Sequence, residues 1–283
     1  MKLLTERRRY HRRLCQEVLA VDNKGIPNNA DKSSRASRAI AQALWKTVCA
    51  EVGAQAPHMQ RAGQTVGKRF EEVTRDYLQQ AFNLLQHLRP GKWTFSVTGE
   101  IHQFAQYRHL ADLKAVLQAH PALHAALGDY LIHPDIVIAR LPVEDEEINR
   151  PVPLLDSQTP IAQLTPLRAA NNTAPLLHAS VSCKWTMRSD RAQNVRTEAL
   201  NLLRHRKGHT PHVVVVTAEP LPGRLASLTL GTGDLDCVYH VALPELEQAV
   251  MAAGDESAQE LLHTMITGQR LRDIADLPLD LAI

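Results

Sequence analysis

The stretch Val181–Gly208, VSCKWTMRSDRAQNVRTEALNLLRHRKG, holds the reading on which the fold turns. Its opening residues alternate. Val181, Cys183 and Trp185 point one way, while Ser180, Ser182 and Lys184 point the other, which is the period of a strand. From about Asp190 to Lys207 the spacing lengthens to that of a basic helix, so helix follows strand directly. Next comes HVVVVTAE, His212–Glu219, whose four consecutive valines suit a central strand buried on both faces. Strand, helix and buried strand in succession imply an α/β fold, a central mixed β-sheet flanked by helices.

The flanking sequence extends the pattern. The first twenty residues read as a basic helix. Asp22–Ser34 crowds Gly, Pro and Asn into turn chemistry, and Ser33 or Ser34 caps a helix with Ile40, Leu44 and Val48 on its apolar face. Phe70, Val73, Tyr77, Ala81, Leu84 and Leu88 step by three or four, one face of a long helix that stops at Arg89-Pro90-Gly91. KWTFSVT alternates as a strand, and a helix centred on Leu110–Leu117 ends near Pro121. Tyr130–Arg140, YLIHPDIVIAR, reads as a buried strand carrying Asp135. From Val143 to about Pro175 the chain is Pro-rich, acidic and aperiodic, an excursion from the core. DCVYHVAL reads as another strand, and the C-terminal forty residues look helical. A single domain over residues 1–283 is expected, with a basic, mainly helical part at 1–60 and a catalytic core at 64–283.

Net charge is only +2 over 283 residues, so the chain is no generic polycation. The basic residues are local instead, in Met1–Arg13 and in Lys184–Lys207, while acids gather at Glu144–Glu147. One cationic face suits a polyanionic partner. No stretch approaches the ~20 apolar residues of a membrane helix, and no signal-peptide core follows the basic N-terminus. Cys15, Cys49, Cys183 and Cys237 lack zinc or redox spacing, and reduced thiols in a cytoplasmic protein are expected.

Four polar residues stand on or beside apolar faces: Asp135, Lys184, Glu198 and Glu71. Each alone reads as a solvated charge or structural ion pair. Together, carboxylates and a lysine approaching one sheet suit metal-dependent phosphodiester cleavage, because hard divalent ions take oxygen ligands and an ammonium neutralises the scissile phosphate.

Pro134-Asp135 followed by Ser182-Cys183-Lys184 resembles the PD-(D/E)XK nuclease core. The acid expected two residues before the lysine is Ser182, and Glu198 on the next helix stands in for it. That relocated acid resembles the type II restriction endonucleases that cut at CCGG-cored sites. The resemblance runs through SCKWTMRSDRAQNVRTEALNL, PHVVVVTAEPLPGR, LGTGDLDCVYH and GQTVGKRFEE, and is most specific from Ser182 to His240. It implies that Asp135 and Glu198 hold Mg²⁺, two ions per site, with the Cys183 carbonyl as a further ligand. Lys184 becomes the catalytic lysine, Ser182 a vestige of the displaced acid, and Glu71 an accessory acid, with Glu72 an alternative beside it.

Arg188, Asp190 and Arg191 stand where strand becomes helix. Read plainly, Ser189 or Asp190 is an N-cap and the arginines are solvated. Read as a groove-entering helix tip, arginine pairs with guanine O6 and N7 and aspartate accepts from cytosine N4, so the trio matches a run of G·C pairs. The resemblance assigns these three to CCGG, and Gln64, Ser37 and Arg224 to the outer base pair of GCCGGC. It further implies a palindromic duplex site, 5′ CCGG overhangs, a homodimer or two dimers back to back, and a role in defence against foreign DNA. The rival readings are a repair or recombination nuclease of the same core, and a DNA-binding protein that no longer cleaves.

Overall fold

The computed structural model describes residues 1–59, 61–97, 99–127, 132–156, 158–231 and 233–283. In chain order these form α1 (Lys2–Arg13), which runs into a π-helical turn at Leu14–Val18, then α2 (Arg35–Glu51) and α3 (Gly63–Asn83). There follow β1 (Trp93–Val97), α4 (Leu110–Ala119), α5 (Pro121–Leu127), β2 (Ile136–Arg140), α6 (Asp145–Ile148) and β3 (Leu176–Lys184). The remainder is α7 (Ser189–His205), β4 (His212–Thr217), α8 (Pro222–Thr229), β5 (Cys237–His240), α9 (Leu243–Ala253), α10 (Glu256–Thr267), β6 (Leu271–Asp273) and α11 (Leu277–Asp280).

The strands form one sheet in the order β1-β2-β3-β4-β5-β6. It is mixed, with β1 antiparallel to β2 and with β4, β5 and β6 parallel. Val213–Val216 are all buried, as expected for a strand with neighbours on both sides.

The chain divides into two compact units. The larger comprises Met1–Arg89, Val181–Ala199 and Val213–Ile283, so the basic N-terminal segment belongs to the unit that carries the end of β3 and the first half of α7. Within it α1 packs on α3, α2 on α9 and α8 on α10. Ser34 caps α2, its hydroxyl accepting from the Ser37 amide. Arg7, far from being a solvated cation, forks onto Glu245 at 2.7 Å and Asp273 at 2.8 Å, and only such pairing makes so buried a guanidinium tolerable. The smaller unit is Pro90–Ser180 with Leu200–His212. There the Gln106 amide clamps both backbone groups of Leu177 at 2.8 and 2.9 Å, fixing the start of β3.

Four expectations need correction. The strand expected over Tyr130–Arg140 begins at Ile136, and Asp135 occupies the bend before it, while Tyr130 and Leu131 lie outside the described residues, as does Thr98, the last residue of the expected strand KWTFSVT. Helix α3 ends at Asn83, and turns carry Leu84 and Leu88 into solvent, so an apolar period ran on past the last helical turn. The C-terminal segment is not all helix. It adds β6, a strand of three residues, too short for any period to show. Finally, Cys15 and Cys49 are joined as a disulfide, while Cys183 and Cys237 are free and buried. Sequence spacing is blind to this pair because helix packing, not local turn geometry, brings the two residues together.

Candidate active site

Trp185 anchors the end of β3. Its ring stacks on Trp45 with centroids 5.3 Å apart and meets Phe70 edge-on at 5.2 Å. Its Nε1–H donates to Asn28 Oδ1 at 3.1 Å, and Trp45 donates likewise to Asn29 Oδ1 at 3.0 Å. With Trp185 drawn inward, the strand period turns Lys184 to the opposite side, where it is half-buried.

This strand end, Trp185 included, borders a cavity of about 440 Å³ within the larger unit. Cys183, Lys184 and Glu198 line it together with Arg188, Arg191 and Arg224. Helical spacing explains the convergence. Arg191, Asn194 and Glu198 fall on one face of α7 and all line the cavity, while Ala192, Val195 and Ala199 are buried on the face beside it. Arg196 holds the helix in place by donating to the Ser227 and Leu230 carbonyls, both at 3.0 Å. Gly231, at φ +143°, admits this approach, because a Cβ there would lie 2.9 Å from the Arg196 guanidinium.

The tip of α7 is capped differently from expectation. The Ala192 amide donates to the Arg188 carbonyl at 2.9 Å, so Arg188, rather than Ser189 or Asp190, is the N-cap residue. Asp190 sits in the first turn, where the helix dipole favours a carboxylate. Arg188, Asp190 and Arg191 are all exposed, and Arg191 is steadied by Thr186, whose hydroxyl accepts from it at 2.7 Å.

The other expected residues divide. Asp135 lies in the smaller unit, half-buried before β2. Ser182 on β3 and Glu71 on α3 are half-buried, and Glu72, the alternative to Glu71, is paired with Arg69. Gln64 is exposed in the first turn of α3. Arg224 is engaged by Asp31, whose carboxyl is held below its usual range by the Ser33 hydroxyl and amide and then by Arg224. Ser37 is a correction. It is 0% exposed, and its hydroxyl accepts the Asp31 amide at 2.9 Å, so it supports a loop from inside and presents nothing to a base edge.

Two residues that sequence reasoning passed over belong here. Asp31 lines the cavity, and Glu219, wholly buried, lies behind it with its carboxyl pushed up by burial to about 7. The signal for Asp31 was its Asx-turn setting in NNADKSS. The signal for Glu219 was an acid closing a run of buried valines.

Among the described residues no three His, Cys, Asp or Glu side chains gather as a metal cage. Of the residues expected to hold metal, Glu198 and Cys183 line the cavity.

The family model described as NgoMIV restriction enzyme matches residues 10–283. The type II restriction enzyme NgoMIV of Neisseria gonorrhoeae is 48% identical over 285 residues, covering 98% of each chain. The solved structure of the type IIF restriction endonuclease Bse634I with cognate DNA aligns over 80% of this chain and 87% of that one, at 15% identity and a TM-score of 0.34. Both the family match and the identity extend over almost the whole length, and the chain belongs to the NgoMIV family of type II restriction enzymes, site-specific deoxyribonucleases.

Proposed function

We propose that the enzyme hydrolyses duplex DNA at GCCGGC, leaving 5′ CCGG overhangs, with Asp135, Lys184 and Glu198 as its catalytic set. The observation that carries this reading is the shared cavity, in which Lys184 and Glu198 share walls with Arg188 and Arg191 of the exposed α7 tip. Chemistry and base reading would thus be held by one strand–helix junction. The 48% identity to the NgoMIV enzyme supports the same target.

Restriction endonucleases usually need Mg²⁺. In this reading Asp135, Glu198 and the Cys183 carbonyl hold two ions, which when bound activate water and stabilise the leaving oxygen. Lys184 donates hydrogen bonds to the scissile phosphate and offsets its charge. Glu71 and Ser182 adjoin as accessory groups. Arg188 and Arg191 face guanine O6 and N7, and Asp190 accepts from cytosine N4. Gln64 and Arg224 read the outer pair.

A palindromic site calls for two-fold symmetry, and we assign a homodimer or a pair of dimers. Val152, Leu154 and Leu164 stand exposed in the Pro-rich excursion, apolar surface of the kind that assembly covers. Among the described residues no helix is long and apolar enough to cross a membrane, and a cytoplasmic location fits a role against incoming DNA.

Digesting a plasmid of known sequence with Mg²⁺ tests the reading. Discrete bands that map to GCCGGC are expected. Cleavage confined to junctions or ends would favour a repair nuclease, and retention without scission would favour a binding protein.

A further inference from the structure

We propose that Glu219 is a positioning residue that locks the DNA-reading tip of α7 to the entry turn of α8, so that the inner and outer base readers are held in one frame. The inference rests on the assignment above of Arg188, Asp190, Arg191 and Arg224 to the bases.

Glu219 follows β4 and is 0% exposed. A buried carboxylate without compensation is costly, and the shortest contacts that compensate this one come from the backbone. Its oxygens are taken by backbone amides from two different elements. Oε2 accepts the Met187 N–H at 2.7 Å, and Oε1 accepts the Leu221 N–H at 3.1 Å. Met187, itself buried, immediately precedes Arg188. Leu221 is the N-cap of α8, one turn ahead of Arg224. One planar group therefore spans the two turns from which the arginines emerge. Arg224 Nη1 lies 3.9 Å away, and Asp31 beyond it completes the charged groups facing Glu219 among the described residues.

The chemistry needs the anion. A carboxylate accepts two amides at once, whereas a carboxylic acid spends one oxygen on its own proton. A glutamine at this place would keep an acceptor for one amide and turn a second donor against the other. Burial raises the Glu219 carboxyl to about 7, against the two amides that lower it, so the clamp tightens as pH passes from 6 to 8.

The test compares full-length wild type, Glu219→Gln and Glu219→Ala. Their affinities are measured in EDTA for duplexes carrying GCCGGC, ACCGGT and GCGCGC, at several pH values. The wild type should discriminate better at pH 8 than at pH 6. Both variants should lose on the order of tenfold in the ratio of cognate to altered duplex, about the worth of one base contact, and the pH dependence should vanish in the glutamine variant. Thermal unfolding of each variant separates misfolding from misplacement, and if both variants unfold, Glu219→Asp, which keeps the charge but cannot reach both amides, is measured in their place and should show the same loss. Unchanged ratios in folded variants, or a flat wild-type profile, overturn the inference while leaving the target site intact. A wild type that prefers none of the duplexes overturns the target reading, and this inference with it.

Discussion

Trp45 stacks on Trp185 with ring centroids 5.3 Å apart, and Trp185 is the residue after Lys184. Helix α2 thereby clamps the end of the strand that presents the lysine. Trp45→Ala removes the stack and leaves a cavity beneath it. We expect a loss of about 3–5 kcal/mol in urea unfolding, with cleavage falling further than DNA binding because Lys184 loses its support. A Trp45→Ala enzyme of normal stability and rate would show that the clamp is idle.

Lys184→Ala, Asp135→Asn and Glu198→Gln should each slow single-turnover cleavage by at least about 10²-fold, the scale set by loss of one electrostatic contributor. Gel shifts on a GCCGGC duplex should still show specific complexes. If Asp135→Asn cuts at the normal rate, the acid at residue 135 has no part in the site.

Base reading separates from phosphate binding by its sequence dependence. Arg188→Ala should lose about 1–3 kcal/mol of preference for the intact inner CCGG over singly altered sites. Arg224→Ala should relax only the outer base pair. Equal weakening on every duplex would mark these arginines as backbone contacts.

Glu219 also makes stability depend on pH. Its folded value of about 7 lies above that of an ordinary carboxyl, so the folded chain holds the proton more tightly. The stability linked to it is present below the unfolded value and lost as pH rises through about 7, up to about 3 kcal/mol over the window. Relative to wild type, Glu219→Gln should therefore gain stability between pH 5 and pH 8. Parallel denaturation curves at the two pH values would contradict this.

The Cys15–Cys49 bridge joins the turn after α1 to α2 across a separation of 34 residues. A loop of that size restricts the unfolded chain by about 3–4 kcal/mol. Reductant should lower the melting temperature by several degrees, and Cys15→Ser should match the reduced wild type. Identical melting with and without reductant would show that the bridge contributes nothing.

Much was legible without coordinates, for reasons that are local. The alternation through Lys184, the valines of β4 and the periodic face of α3 each record burial directly, because a strand or helix exposes its faces at a fixed period. The order of Asp135, Lys184 and Glu198 raised the proposal of a cleavage site from chemistry at set positions along the chain. Other features depended on distant packing. Arg7 reads as a surface cation until Glu245 and Asp273 enclose it, and Ser37 reads as a polar contact until it is found supporting Asp31 from within.

The sequence by itself determined the α/β alternation and the family, and it supplies the residues proposed to cleave and read DNA. Only the tertiary structure decided that Arg188 caps α7, that Glu198 and Lys184 line one cavity, and that Glu219 ties Met187 to Leu221. The reason is physical. Period and composition report what each residue prefers near its neighbours in the chain, whereas burial of a charge is settled by partners that only folding brings within reach.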